Sequence, residues 1–141
     1  MKKNLMLGIM AAGAIAALAL PASAAVVGTS NDATFAQSVL ASPTPVVVDF
    51  YADWCGPCRR MGPVVDRVAA QSGEGIKFVR VNVDASRQTA ARYGISSIPA
   101  IRVFKDGRLI GSADGLMPEQ ELSATINQAL SRTAARPRTG M

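Results

Sequence analysis

The chain has 141 residues, with fifteen Lys and Arg, ten Asp and Glu, no histidine and only two cysteines. One domain with one hydrophobic core fits that length, and two cysteines without a histidine leave almost nothing from which to build a zinc site. The net charge of +5 would ordinarily suggest nucleic acid or an anionic membrane, but residues 25–130 hold ten basic and ten acidic side chains and are formally neutral.

The basic excess sits at the two ends. The chain opens "MKKNLMLGIMAAGAIAALALPASA", in which Lys2 and Lys3 precede an uncharged apolar run, Leu5 to Leu20. Pro21 and the small residues Ala22-Ser23-Ala24 follow, the pattern of a secretory signal peptide cleaved after Ala24. An uncleaved anchor is the rival, but the run is short of the roughly 20 residues that span a bilayer. No cysteine follows the cleavage site, so a lipoprotein anchor is not expected. The expected division is a signal peptide over 1–24, a domain over 25–131 and a basic, disordered tail over 132–141. Three arginines without an aromatic residue in that tail are weak grounds for nucleic acid, which is not expected as a partner.

Between the ends, strand and helix patterns alternate. Val26 and Val27 suggest a short edge strand, and Asn31 or Asp32 can cap a helix that turns Phe35, Val39 and Leu40 to one side. "VVVDFY", residues 46–51, reads as a central strand buried on both faces. Helical spacing then runs through Met61, Val64, Val65 and Val68, with Pro63 expected to kink the helix. "IKFVRVNVD" gives a second buried strand, and Ser86 starts a short helix that Gly94 ends. Ala100 to Lys105 and Arg108 to about Ala113 form a hairpin around Asp106-Gly107. Pro118 opens a last helix with Leu122, Ile126 and Leu130 inward. The order βαβαβαββα implies an α/β fold with a central mixed sheet and helices on both faces.

The two cysteines occur in "WCGPC", residues 54–58, at the carboxyl end of the central strand, where ligands bind in open α/β sheets. A structural staple closing so short a loop would restrict the unfolded chain very little. Zinc would need carboxylates or a second subunit to complete its ligands. Redox chemistry is favoured by position: free amides at a helix start stabilise a thiolate at Cys55, and Cys58 lies one turn further in, within reach of a mixed disulfide. Gly56 lets substrate backbone approach, and Pro57 suits a first helical turn. Asp49 stands inside an apolar run, where a carboxylate is costly to bury without a partner; Arg80 or Lys77 on the next strand could supply one.

"VVVDFYADWCGPCRRMGPVV" resembles the active-site segment of the thioredoxin family, and the resemblance continues through "FVRVNVD", "YGISSIPAIRVFKDG" and Gly115. It implies the thioredoxin fold, a reversible Cys55–Cys58 disulfide with Cys55 as nucleophile and Cys58 as resolving thiol, and Asp49 as proton acceptor for Cys58. It also implies that Ile98-Pro99 is a cis peptide beside the cysteines, and that Trp54, Ile98, Pro99 and Gly115 face substrate. No cofactor and no metal are implied. Tyr51, Arg59 and Ala100 depart from residues common in the family without removing a chemical role.

Direction of electron flow has to be weighed separately. The Gly-Pro pair between the cysteines and the isoleucine before Pro99 resemble reducing thioredoxins, whereas an exported protein meets an oxidising periplasm. The expectation is a monomeric periplasmic reductase of disulfides in exported proteins, reloaded by a membrane thiol-disulfide carrier. A disulfide-forming or isomerising enzyme, or a non-catalytic binding module on the same fold, are the alternatives.

Overall fold

A computed structural model of the chain describes residues 26–136, together with positions 13, 17 and 18. Apart from those three positions, the expected signal peptide lies outside the described residues, as does the end of the tail, and the described fold begins with an edge strand. That strand, β1, is Gly28–Ser30 rather than Val26-Val27. The parallel register against the next strand selects it, aligning Gly28 with Val79 and Ser30 with Val81. Val27 packs against the core from just outside the ladder, while Val26 is exposed.

A short π-helical segment, Ala36–Leu40, follows and buries Val39. Asn31 holds the turn that leads into it: its Oδ1 accepts from the amides of Ala33 and Thr34. Asp32, the other expected cap, bonds instead to Thr89.

The remaining elements are β2 (Val46–Tyr51), α1 (Gly56–Gln71), β3 (Lys77–Asn82), α2 (Arg87–Arg92), β4 (Ala100–Lys105), β5 (Arg108–Asp114) and α3 (Glu119–Ala135). They build one five-stranded sheet in the order β1-β3-β2-β4-β5. β1, β3 and β2 are parallel; β4 runs antiparallel to both β2 and β5. This is the mixed sheet expected from the element order. β2 is central, and Val46 to Phe50 are all buried, which explains why its sequence shows no polar alternation.

Side chains of β2 divide between two cores. Val47 joins Met61, Val64, Val65 and Val68 of α1 and Leu122, Ile126 and Ala129 of α3 on one face. Val46, Val48 and Phe50 join Phe35, Val39 and Phe104 on the other. There Phe35, Tyr93 and Phe104 pack as an aromatic trio, with ring centroids 5.0–5.6 Å apart. The alternation also fixes the side of Asp49: it lies on the α1 face, like Val47.

One turn is set by local chemistry, and one helix start by a residue far away in sequence. Asp106 (φ 51°) and Gly107 (φ 76°) both adopt positive φ, which gives the two-residue hairpin its favoured twist. α2 is capped from a distance. Ser86 occupies its N-cap without a side-chain bond, and Asp32 instead accepts from the amides of Gln88 and Thr89 and from the Thr89 hydroxyl, the last at 2.6 Å.

α3 continues to Ala135, four residues past the boundary expected at 131. Arg132 thus sits in the last helical turn, near the carbonyl end that favours a cation.

Candidate active site

β2 ends at Tyr51, and α1 begins at Gly56, so "WCGPC" bridges the carboxyl end of the central strand and the amino end of a sixteen-residue helix. Cys55 is the N-cap of α1, in extended conformation (φ −85°, ψ 108°), and its Sγ accepts from the amide of Cys58 at 3.2 Å. A sulfur thus takes the capping role that Ser or Asp usually fills. Pro57 lies in the first turn, where its missing N–H leaves no bond unmade. The two sulfurs form a disulfide with Cα atoms 5.2 Å apart. Both cysteines are nearly buried, Cys55 at 4% and Cys58 at 5% exposure. Opening the bond would present Cys55 to the free amides of α1, which favour a thiolate.

Around the disulfide the structure collects most of the residues singled out in the sequence. Ala52, Cys55 and Cys58 form a small core against Tyr51, Val83 and Ile98. The Ile98-Pro99 bond is cis, and Cys55 Sγ lies 3.9 Å from the Ile98 carbonyl oxygen. Gly115, at φ 94°, donates its amide to the Pro99 carbonyl at 2.8 Å, closing the hairpin end beside that cis bond. Positive φ at this point explains a glycine. A Cβ built on Gly56 would meet nothing within 4 Å, so this face of the turn is open to an approaching chain. Trp54 is 68% exposed and lies at the surface rather than in the core.

Asp49 is 2% exposed and has Arg80, its register partner on β3, as its cationic neighbour, with Nε 3.5 Å from Oδ2. Lys77, the other candidate, donates to the Ser38 carbonyl instead. Among the described residues, Oδ1 of Asp49 is buried without a hydrogen-bond partner. Burial dominates the resulting electrostatics and pushes the carboxyl up to about 6, against the downward pull of Arg80. A carboxylate of that strength is ionised at neutral pH yet can still accept a proton.

Three contributions were not singled out in the sequence. Asp84 accepts from Trp54 Nε1 at 2.8 Å and holds the exposed indole. The signal was available in the parallel register, since Tyr51 pairs with Asn82 and the two residues lie just beyond the paired strand ends. Asp66 on α1 binds Arg80 at 2.9 Å, and Gly62 accepts from the same guanidinium at 2.8 Å. Arg102, 6% exposed within β4, is held by Asp114 of β5 at 2.7 Å and donates to the Ile101 carbonyl at 2.9 Å.

Comparison with known proteins agrees with this geometry. The thioredoxin family model matches residues 26–128. The chain is 47% identical over 100 residues to thioredoxin 1 of Synechococcus elongatus, covering 71% of this chain and 94% of that protein. It is 44% identical over 101 residues to the thioredoxin of Porphyra purpurea, covering 72% and 94%. Against the thioredoxin of Haemophilus influenzae it is 39% identical over 98 residues, covering 70% and 92%. With a mixed five-stranded sheet, a disulfide at the N-cap of its first long helix and these relatives, the chain belongs to the thioredoxin family and is a thiol-disulfide oxidoreductase.

Proposed function

We propose that this protein reduces disulfides of exported proteins in the periplasm, after removal of its N-terminal segment, and is returned to the dithiol form by a membrane thiol-disulfide carrier. The observation that carries the reading is the Cys55–Cys58 pair at the start of α1, with Asp49 buried on the α1 face of the preceding strand and the Ile98 carbonyl beside Cys55 Sγ.

The reaction follows from those positions. In the reduced protein, the Cys55 thiolate attacks one sulfur of a substrate disulfide, forming a mixed disulfide and expelling the other substrate sulfur as a thiolate. Cys58 then gives its proton to Asp49, and its thiolate attacks Cys55 Sγ. The second substrate sulfur leaves as a thiolate, two electrons have passed to the substrate, and the protein holds the Cys55–Cys58 disulfide. Ile98, Pro99 and Gly115 present backbone to the incoming segment beside Cys55, and Trp54 forms the neighbouring wall. The carrier reverses the exchange on the protein, supplying two electrons and restoring both thiols.

The Gly-Pro pair between the cysteines and the similarity to thioredoxins support reduction as the direction. The export pattern at the N-terminus is what supports the periplasm and, with it, the need for a reloading partner. The same location is the reason to keep a disulfide-forming or isomerising role as the second reading.

Cys58→Ser should accumulate mixed disulfides with exported proteins through Cys55, and mass spectrometry of periplasmic extract should find the chain beginning at Ala25. Adducts formed through Cys58 in the Cys55→Ser protein would reverse the assigned roles. Recovery of the protein only in the cytoplasm, with its first residues intact, would contradict the location.

A further inference from the structure

The charges beneath the disulfide are unevenly shared. Arg80 faces Asp49 directly across the β2–β3 ladder. Its terminal Nη2 nevertheless turns to α1, 2.9 Å from Asp66 Oδ1 and 2.8 Å from the Gly62 carbonyl, leaving only Nε near Asp49 at 3.5 Å. Asp49 is 2% exposed and Asp66 57% exposed. The buried carboxylate would gain far more from a bidentate guanidinium than the solvated one does. It instead keeps one oxygen without a hydrogen-bond partner among the described residues.

We propose that Asp66 is a positioning residue for the resolving step: by holding the Arg80 fork against α1, it keeps the guanidinium from closing on Asp49 and leaves Asp49 a base able to take the Cys58 proton. This rests on the assignment of Asp49 as that proton acceptor. Asp66 acts in two ways with the same sign. Its own negative charge opposes ionisation of Asp49, and its grip on Arg80 limits the opposing pull of that cation. The other surroundings of Asp49 do not compete. Ile101, its partner on β4, is uncharged, and Lys77 of β3 is engaged with Ser38.

Without the Asp66 charge, Arg80 relaxes onto Asp49, which becomes a weaker base. The resolving rate then rises from a lower pH but reaches a lower plateau. Attack by Cys55, which does not use Asp49, is unaffected.

The test mixes the reduced mature protein with excess dithiobis(nitrobenzoate), an aromatic disulfide that releases one coloured thiolate when Cys55 attacks and a second when Cys58 resolves. Asp66→Asn should shift the second-phase pH profile down by about half a unit to one unit and lower its plateau by roughly threefold, with the first phase unchanged. Asp66→Glu should restore the parent profile, and Asp49→Asn should abolish the pH-dependent limb. If Asp49→Asn loses the limb but Asp66→Asn superimposes on the parent, the inference about Asp66 is overturned while Asp49 keeps its role. Equal slowing of both phases by Asp66→Asn would overturn it in favour of a structural role. A limb that survives Asp49→Asn would remove the proton acceptor itself, and the inference with it.

Discussion

Replacing Asp49 by asparagine should make the protein more stable at neutral pH. The Asp49 carboxyl titrates near 3.8 when unfolded and about 6 when folded, so the folded state binds its proton more tightly. An acid raised in this way costs stability as pH climbs from the unfolded to the folded value, and the whole cost stands above about 6. A shift of about two units at roughly 1.4 kcal/mol per unit amounts to about 3 kcal/mol at pH 7. Arg80 is not stranded by the change, because it retains Asp66 and the Gly62 carbonyl. Urea unfolding of the oxidised parent and Asp49→Asn, run from about pH 3.5 to 8, should show curves that nearly meet at the acid end and separate between about 4 and 6. The separation at pH 7 corresponds to a rise in melting temperature on the order of 10 °C for a domain of this size. A constant offset at every pH, or a variant less stable at pH 7, would refute the electrostatic reasoning. If Asp49 takes the Cys58 proton as proposed, the stabilised variant should also be the slower one in the resolving step.

Other consequences test the parts of the fold that hold the site. Asp114→Ala strands Arg102 in the sheet and should cost roughly 3 kcal/mol, the low end for a broken buried pair because Asp114 is half exposed; Arg102→Leu leaves only a solvated carboxylate and should be nearly neutral. Equal loss in both, measured by urea midpoint, would contradict that asymmetry. Gly111→Ala would place a Cβ 2.7 Å from Ala129 Cβ and should destabilise by about 1–3 kcal/mol through overpacking of β5 on α3; an unchanged melting temperature would show that α3 moves freely. The Thr89 hydroxyl, and after it the α2 amides, hold the Asp32 carboxyl below its usual range, a shift that contributes stability above the unfolded value and loses it as pH falls. Asp32→Ala should therefore lower the melting temperature at neutral pH, speed exchange of the Thr89 amide, and match the parent in strong acid; unchanged exchange would contradict the long-range cap.

What could be read from the sequence were the features whose causes are local. The apolar run at 46–51 marked a strand buried on both faces, Asp106-Gly107 marked the hairpin, and the cysteine pair at a strand-to-helix junction marked the site. Pairings that depend on register were not legible in the same way. Val26 and Val27 have the stronger β propensity, but alignment with Val79 to Val81 places β1 at Gly28–Ser30. Asp32 had the right chemistry for a cap and caps a helix more than fifty residues away. Arg80 was one of two cations expected beside Asp49, with Lys77 the other, yet its division between Asp49 and Asp66 depends on how α1 lies across β3. Arg102 reaches Asp114 diagonally across the hairpin, two positions from its own register partner Ser112. Each of these is a contact between residues distant in sequence, and no periodicity reports it.

The reduction potential of the Cys55–Cys58 pair in the mature protein tests the proposed direction of electron flow most directly. A reductase should show a value near the thioredoxin potential of about −270 mV, low enough to reduce the disulfides of exported partners. A value near about −120 mV, that of a strong periplasmic oxidant, would contradict it and make this protein a disulfide donor.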